Sequence, residues 1–207
     1  MTFWNDPIVE KSNAILLDLK GQFEFTLIGG WAVYLYTRAL KSKDIDIIVD
    51  HAVLSRMMAT MGISKNERLR KYESDAGGVS IDIYLSHYSR LAVPLEDVLM
   101  AAVIIDGFRV PPLGMLLAMK QLAELERRAS VKGVKDRVDI LSILLSGALD
   151  IGEYALMLRR YRLDYLERLR TIVLEAQDEF EYLGLKDLRE VKKKRRALLE
   201  MIDAKRR

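Results

Sequence analysis

The sequence predicts an α+β protein: a small mixed sheet in the first half, followed by a helical second half. Three observations predict it. An apolar segment ends in Gly29-Gly30 and is followed, after a short helical stretch, by Asp44-Ile45-Asp46-Ile47-Ile48-Val49, a strand that opens on alternating polar and apolar residues. Two further strand-like segments flank Asp75-Ala76-Gly77-Gly78, a hairpin turn signal that makes the sheet mixed rather than wholly parallel. From Leu113 onward the apolar residues recur at three-to-four spacing, the period of a helix face. The change of character at Pro111-Pro112 divides the chain into expected domains over 1–112 and 113–207.

Each element has a local cause. Ile8, Ala14, Ile15, Leu16 and Leu19 suit an amphipathic helix over 8–19, ended by Gly21. Residues 23–28 read as the first strand, 31–40 as the helix after the glycine turn, and 45–49 as the second strand. Asp50 is placed to cap a helix over 51–61, since its carboxylate can accept from N–H groups of the first turn; Gly62 stops that helix. A weaker strand over 69–74 and a stronger one over 79–85 surround the Gly77-Gly78 turn. Asp106-Gly107 marks another turn, before an extra strand at 108–110. Pro111-Pro112 then breaks the chain and starts a helix over 113–128. Residues 130–133 read as a polar loop and 134–145 as the next helix. Beyond Gly147, Leu166, Leu169, Ile172, Val173, Ala176 and Phe180, then Leu188, Val191, Leu198 and Ile202, keep helical spacing to the end.

Composition excludes several classes. The 207 residues include no cysteine, so neither a disulfide framework nor a cysteine-ligated zinc site can form. Glu10, Lys11 and Asp18 interrupt any early apolar run of signal-peptide type. The longest apolar stretch, 98–105, is far short of the ~20 residues that span a bilayer. A soluble, cytoplasmic protein with no membrane partner is therefore expected. The net charge of +3 is small, but the basic excess gathers near the C-terminus, in Lys192-Lys193-Lys194-Arg195-Arg196 and Lys205-Arg206-Arg207.

The residues that carry chemistry lie in the first half. Strand side chains alternate, so Asp44 and Asp46 project to one face while Ile45 and Ile47 go to the other. A third aspartate, Asp82, interrupts the apolar strand Val79-Ser80-Ile81-Asp82-Ile83-Tyr84-Leu85. Carboxylates on one rigid face, beside a glycine turn that opens a helix, suit a metal ion and a phosphate chain.

This order of parts resembles the polymerase-beta-type nucleotidyltransferase superfamily. The spacing, with Lys41-Ser42-Lys43 ahead of Asp44, is similar to that of the AbiEii-like and related prokaryotic nucleotidyltransferases. Leu116-Leu117-Ala118-Met119-Lys120-Gln121-Leu122-Ala123 and Lys135-Asp136-Arg137-Val138-Asp139-Ile140 look like the helical segments that follow the core there. The core resemblance covers residues 23–85 and is looser beyond them. Gly-Gly-Trp-Ala also resembles antibiotic-modifying nucleotidyltransferases.

The resemblance implies a small mixed-sheet catalytic core with a helical C-terminal domain, and an enzyme that moves a nucleoside monophosphate from a nucleoside triphosphate such as ATP to an acceptor hydroxyl. It implies Mg2+, as two ions about 3.5–4 Å apart. Asp44, Asp46 and Asp82 would hold the metal, and Asp82 would also help deprotonate the acceptor. Gly29 and Gly30 would admit the triphosphate. Many members carry serine where Gly30 stands, so nucleotide contacts would fall to backbone amides with Ser42, Lys43 or a basic residue of the helical half, Lys120. The basic C-terminal helix favours RNA or tRNA as acceptor, in a toxin-antitoxin setting with a partner protein. The alternatives are an inactive nucleotidyltransferase-fold binding module or antitoxin-like component, and a small-molecule transferase of the antibiotic type.

Each residue also has an ordinary reading. Trp31 is expected in the core at the helix start, with base stacking as the alternative. Lys120 either snorkels to solvent from an apolar face or points inward near triphosphate. Lys135, Asp136 and Asp139 are expected as surface pairs, with support of the site as the lesser reading. His51 and His87 are expected to be structural. The basic stripe is a solvated face or an electrostatic surface for a phosphate backbone.

Overall fold

Apolar strands that alternate or run continuously must bury at least one face, and here they assemble into one sheet flanked by helices. The computed structural model describes residues 3–205. It divides into two compact units, Trp4–Pro112 and a helical unit that begins at Leu113 and takes in Phe3.

The first unit contains, in order, α1 (Asp6–Gln22), β1 (Thr26–Ile28), α2 (Gly29–Thr37), β2 (Ile45–Val49), α3 (His51–Thr60), β3 (Ile63–Asn66), β4 (Lys71–Asp75), β5 (Ser80–Leu85), α4 (Leu95–Ala101), β6 (Val103–Ile105) and β7 (Phe108–Val110). Among the described residues the strands form a seven-stranded sheet in the order β3-β4-β5-β2-β1-β7-β6. β2 runs parallel to β5 and antiparallel to β1, so the sheet is mixed, as the turn chemistry requires. Leu27, Ile45, Ile47, Ile81 and Ile83 are fully buried and form its core.

The turns behave as their residues dictate. Asp75 Oδ1 accepts from the Gly78 N–H at 2.8 Å and closes the β4–β5 hairpin. Asp106 and Gly107 both take positive φ, 51° and 74°, the type I′ arrangement that suits strand twist. Asp50 caps α3 by accepting from Val53 N–H at 2.7 Å.

Several elements differ from the sequence reading. The first strand shortens from 23–28 to Thr26–Ile28. The helix after it runs Gly29–Thr37 rather than 31–40; Arg38, at φ 56°, turns left-handed and ends it. β3 is an addition, because Ile63-Ser64-Lys65-Asn66 lacks an apolar face; pairing with β4 alone recruits it as an edge strand.

The helical unit contains α5 (Leu113–Arg127), α6 (Val131–Leu145), α7 (Ile151–Tyr161), α8 (Leu166–Glu175), α9 (Asp178–Tyr182) and α10 (Leu188–Asp203). The expected loop over 130–133 is instead the start of α6. Ser130 caps it, accepting from Gly133 N–H at 3.1 Å. Gly133 is required there, since an added Cβ would lie 2.7 Å from the Arg128 Cα.

Charge is buried in this unit. Lys135, Asp136 and Asp139 are not surface pairs: all three are buried, together with Lys120 and Glu124. The Lys120 ammonium lies 3.2 Å from Asp136 and 2.8 Å from Asp139. Arg127 Nε donates to Asp136 at 2.7 Å, and Lys135 pairs with Asp139. Burial disfavours the Asp136 carboxylate, but Lys120 and Arg127 outweigh it and hold the group below its usual pKa. At Lys135 burial prevails instead, lowering its pKa by more than Asp139 restores. Among the described residues, no helix is long and apolar enough to cross a membrane.

Candidate active site

The site is built by strand register. β1 and β2 pair so that Asp46 lies opposite Ile28, the residue before the glycine turn. β2 and β5 pair so that Asp46 lies opposite Asp82, and β4 adds Glu73 opposite Asp82. Residues directly opposite in a ladder share a face, so Glu73, Asp82 and Asp46 form a row across three neighbouring strands about 4.8 Å apart. The flanking Ile45, Ile47, Ile81 and Ile83 are buried on the other face and fix the direction of the row. Asp44 precedes the first residue of β2, in a bend, and is half-buried.

The glycine turn closes directly on this row. Gly29 has φ +66°, a left-handed conformation, and it opens α2. A Cβ added there would lie 2.6 Å from the Asp46 Cγ and closer still to Oδ2. Glycine is thus demanded twice, by the backbone and by the carboxylate against it. Asp46 abuts the glycine turn directly. Gly29→Ala is expected to cost about 3 kcal/mol: about 1–2 from the left-handed backbone and the rest from displacing Asp46. A urea midpoint comparison measures it, and a loss under about 1 kcal/mol would mean that the turn relaxes freely.

Three side chains outside the sequence-predicted set, Glu73, Lys71 and Asn66, complete the row. Lys71 Nζ lies 2.5 Å from Asp82 Oδ2 and 3.0 Å from Glu73 Oε1. Asn66 donates to the same Glu73 oxygen at 3.1 Å. Burial disfavours the Lys71 ammonium, but hydrogen bonds and charge from Asp82 and then Glu73 prevail, raising its pKa above the ordinary lysine value. Lys71 in turn holds Glu73 below the usual carboxylate range, against a smaller opposing effect of burial and with help from Asn66. The available signal was the alternation Lys71, Glu73, Asp75 within the weaker strand.

The other candidates are placed as follows. Gly30 and Ser42 are buried. The Lys43 ammonium sits 4.4 Å from the centre of the Trp4 ring. Lys120 belongs to the helical unit, within the buried ion pairs described above. Trp31 is a core residue, 2 % exposed, and its Nε1 donates to Ser12 Oγ at 2.9 Å; this removes the base-stacking alternative. Gly29, Asp46 and Asp82 are therefore brought together, with Asp44, Ser42 and Lys43 on the segment leading into β2.

Among the described residues, no group of three or more His, Cys, Asp or Glu side chains is gathered to hold a metal ion. The donor chemistry of Asp46 and Asp82 nevertheless fits a hard dication, which takes carboxylate oxygens. An ion that uses Asp82 meets Lys71 already paired with it.

No family model matches the chain, and no curated protein matches it either. Solved structures do. A candidate nucleotidyltransferase from H. pylori aligns with 98 % of this chain and 97 % of its own, at 16 % identity and TM-score 0.51. JHP933 from Helicobacter pylori aligns with 97 % of this chain and 94 % of its own, at 15 % identity and TM-score 0.50. ANT(2")-Ia in complex with adenylyl-2"-tobramycin aligns with 74 % of this chain and 96 % of its own, at 15 % identity and TM-score 0.49. The first two alignments run through both the sheet and the helices, and the likeness they establish is one of fold: this chain shares the fold of these two H. pylori structures, one of them a candidate nucleotidyltransferase.

Proposed function

We propose that the chain is a metal-dependent nucleotidyltransferase that moves a nucleoside monophosphate from a nucleoside triphosphate to an acceptor hydroxyl, forming a bond from that oxygen to the α-phosphorus and breaking the α–β phosphoanhydride bond to release pyrophosphate. The observation that carries this reading is the in-register pair Asp46–Asp82, with Gly29 against Asp46 at the start of α2. The first-turn N–H groups of α2 and its dipole favour phosphate charge, and Gly29 and Gly30 present no side chain to obstruct it. Asp46 and Asp82 would hold Mg2+, with Asp44 on the bend that leads into β2 as the further carboxylate of the segment; the ion when bound neutralises charge on the phosphate oxygens. Asp82 accepts the acceptor hydroxyl's proton, and the rigid sheet keeps it beside Asp46 through the transfer.

RNA or tRNA is the proposed acceptor, in a toxin-antitoxin setting. Support comes from α10, where Lys192, Lys193 and Arg196 are exposed while Val191, Leu198 and Ile202 face inward. Lys194 and Arg196 are partly neutralised by Glu190 and Glu200 on the same helix. Arg195 differs from the rest, since it donates to the Ala176 carbonyl and lies 5.5 Å from the Phe180 ring centre. Arg206 and Arg207 lie outside the described residues. Replacing Lys192, Lys193, Lys194 and Arg196 with glutamine should weaken RNA binding for all sequences. It should also flatten the salt dependence, by roughly 0.7 in slope for each single-strand phosphate that is no longer neutralised. Unchanged filter binding at low salt would return α10 to a solvated face.

The deciding experiment incubates the protein with each labelled nucleoside triphosphate, Mg2+ and total RNA, followed by a denaturing gel. Label in an RNA band supports the proposal; label on the protein moves the acceptor to a protein hydroxyl. The ion pair between Lys71 and Asp82 favours a second reading, a module that binds nucleotide without turnover. No label in any lane, with thermal protection by nucleotide and Mg2+, would select it.

A further inference from the structure

We propose that Lys71 is a resident cation of the carboxylate row, competing with a divalent metal ion for Asp82 and retreating to Glu73 when the ion binds. The inference rests on the reading of Asp46 and Asp82 as metal-holding groups and assigns a role to a residue outside them.

Register creates the contact. Glu73 lies opposite Asp82, and Lys71, two residues earlier on the same face of β4, reaches diagonally across to β5. Its ammonium touches both carboxylates, Asp82 at 2.5 Å and Glu73 at 3.0 Å. The Lys71 and Asp82 side chains are only 12 % and 15 % exposed, so water screens this pair far less than it would a surface pair. Carboxylates in a row repel one another, and Lys71 bridges two of them, Asp82 and Glu73.

The same contact obstructs a metal. A dication bound to Asp82 at about 2.1 Å would stand within a few ångströms of the ammonium, where like charges repel strongly. Both cations cannot use the same oxygen at these distances. Glu73 resolves the conflict, because it already accepts from Lys71 and is the more exposed partner, at 34 %. Lys71 can turn toward Glu73 and leave Asp82 to the ion without losing its own counter-charge. Metal binding at Asp82 is thus an exchange of one cation for another, and its affinity is set partly by how firmly Lys71 holds on.

The test is a Mn2+ titration of the full chain without nucleotide, with free Mn2+ read by electron paramagnetic resonance and folding checked by circular dichroism. The variants are Lys71→Met, Asp82→Asn, Asp46→Asn and the double variant Lys71→Met/Asp82→Asn. Lys71→Met should bind Mn2+ about tenfold more tightly than the parent, and that gain should vanish in the Asp82→Asn background. Unchanged or weaker binding by Lys71→Met overturns the proposal. So does a gain that survives without Asp82, which would be a general charge effect rather than competition for one carboxylate. If the parent binds Mn2+ and both aspartate variants lose it while Lys71→Met changes nothing, the metal reading stands and only the competition falls. If parent and all variants fail to bind, both fall. Should Lys71→Met not fold, Lys71→Gln, with a neutral polar head, carries the same comparison.

Discussion

Replacing Asp46 with asparagine should lower nucleotidyl transfer about a thousandfold or more while leaving the protein folded. The substitution removes one negative charge at nearly constant shape. The new side chain still fits against Gly29, where an added methyl group would not. Stability should hold or rise slightly, because Asp46 stands in a row with Asp82 and Glu73 and its neutralisation relieves repulsion along that row. Transfer should fall because the charge that develops in phosphoryl transfer is stabilised through the groups these carboxylates hold. The measurement is thermal unfolding beside labelled-nucleotide transfer for parent and variant. Stability retained with transfer lost supports catalysis at Asp46. A variant that unfolds would make Asp46 a structural partner of the glycine turn, and the site would need another centre.

The parts of the site that were legible in the sequence are those set by local rules. Gly29-Gly30 after an apolar segment, Asp44-x-Asp46 at the head of a strand, and Asp82 within another strand follow from alternation and turn chemistry. The hairpin at Asp106-Gly107 and the cap at Asp50 were legible for the same reason, since each is decided within four residues. Register was not. That Asp46 lies opposite Asp82, and Glu73 opposite Asp82, depends on how β4, β5 and β2 align across the sheet. Lys71 enters the site only through that alignment.

The helical unit misleads for a different reason. Lys135, Asp136 and Asp139 follow an ordinary charged pattern with an i,i+4 pair, which usually marks a solvated face. Yet Val138, Ile140, Leu141, Ile143 and Leu144 are all buried, so α6 is apolar on every side beyond its first turns and has little outward face for its charges. A helix of that kind buries its ions or does not form. The continuous apolar run 140–145, interrupted only by Ser142, was the available signal.

The second large effect is expected at Glu124, the centre of the ionic network that joins several helices of this unit. Glu124 is fully buried, at 0 % exposure. Arg168 of α8 donates to it through Nε at 2.9 Å and through a second guanidinium nitrogen, and Arg137 of α6 approaches at 3.7 Å. Arg137 also reaches Glu179 at 2.7 Å and the Arg128 carbonyl at 3.0 Å. Glu124→Ala removes the carboxylate that Arg168 grips with two bonds and leaves a cavity beside a poorly hydrated guanidinium. Breaking such a pair from one side costs about 3–5 kcal/mol. The loss should lie near the lower figure, because Arg137 keeps Glu179 and both arginines remain partly hydrated, at 19 % and 17 % exposure. The exposed pair Arg196–Glu200 provides the contrast, since Arg196→Gln should change stability by less than about 0.5 kcal/mol. Urea unfolding followed by far-ultraviolet circular dichroism measures both. A Glu124→Ala loss no larger than that of Arg196→Gln would mean that the buried carboxylate is dispensable and that apolar packing alone holds these helices together.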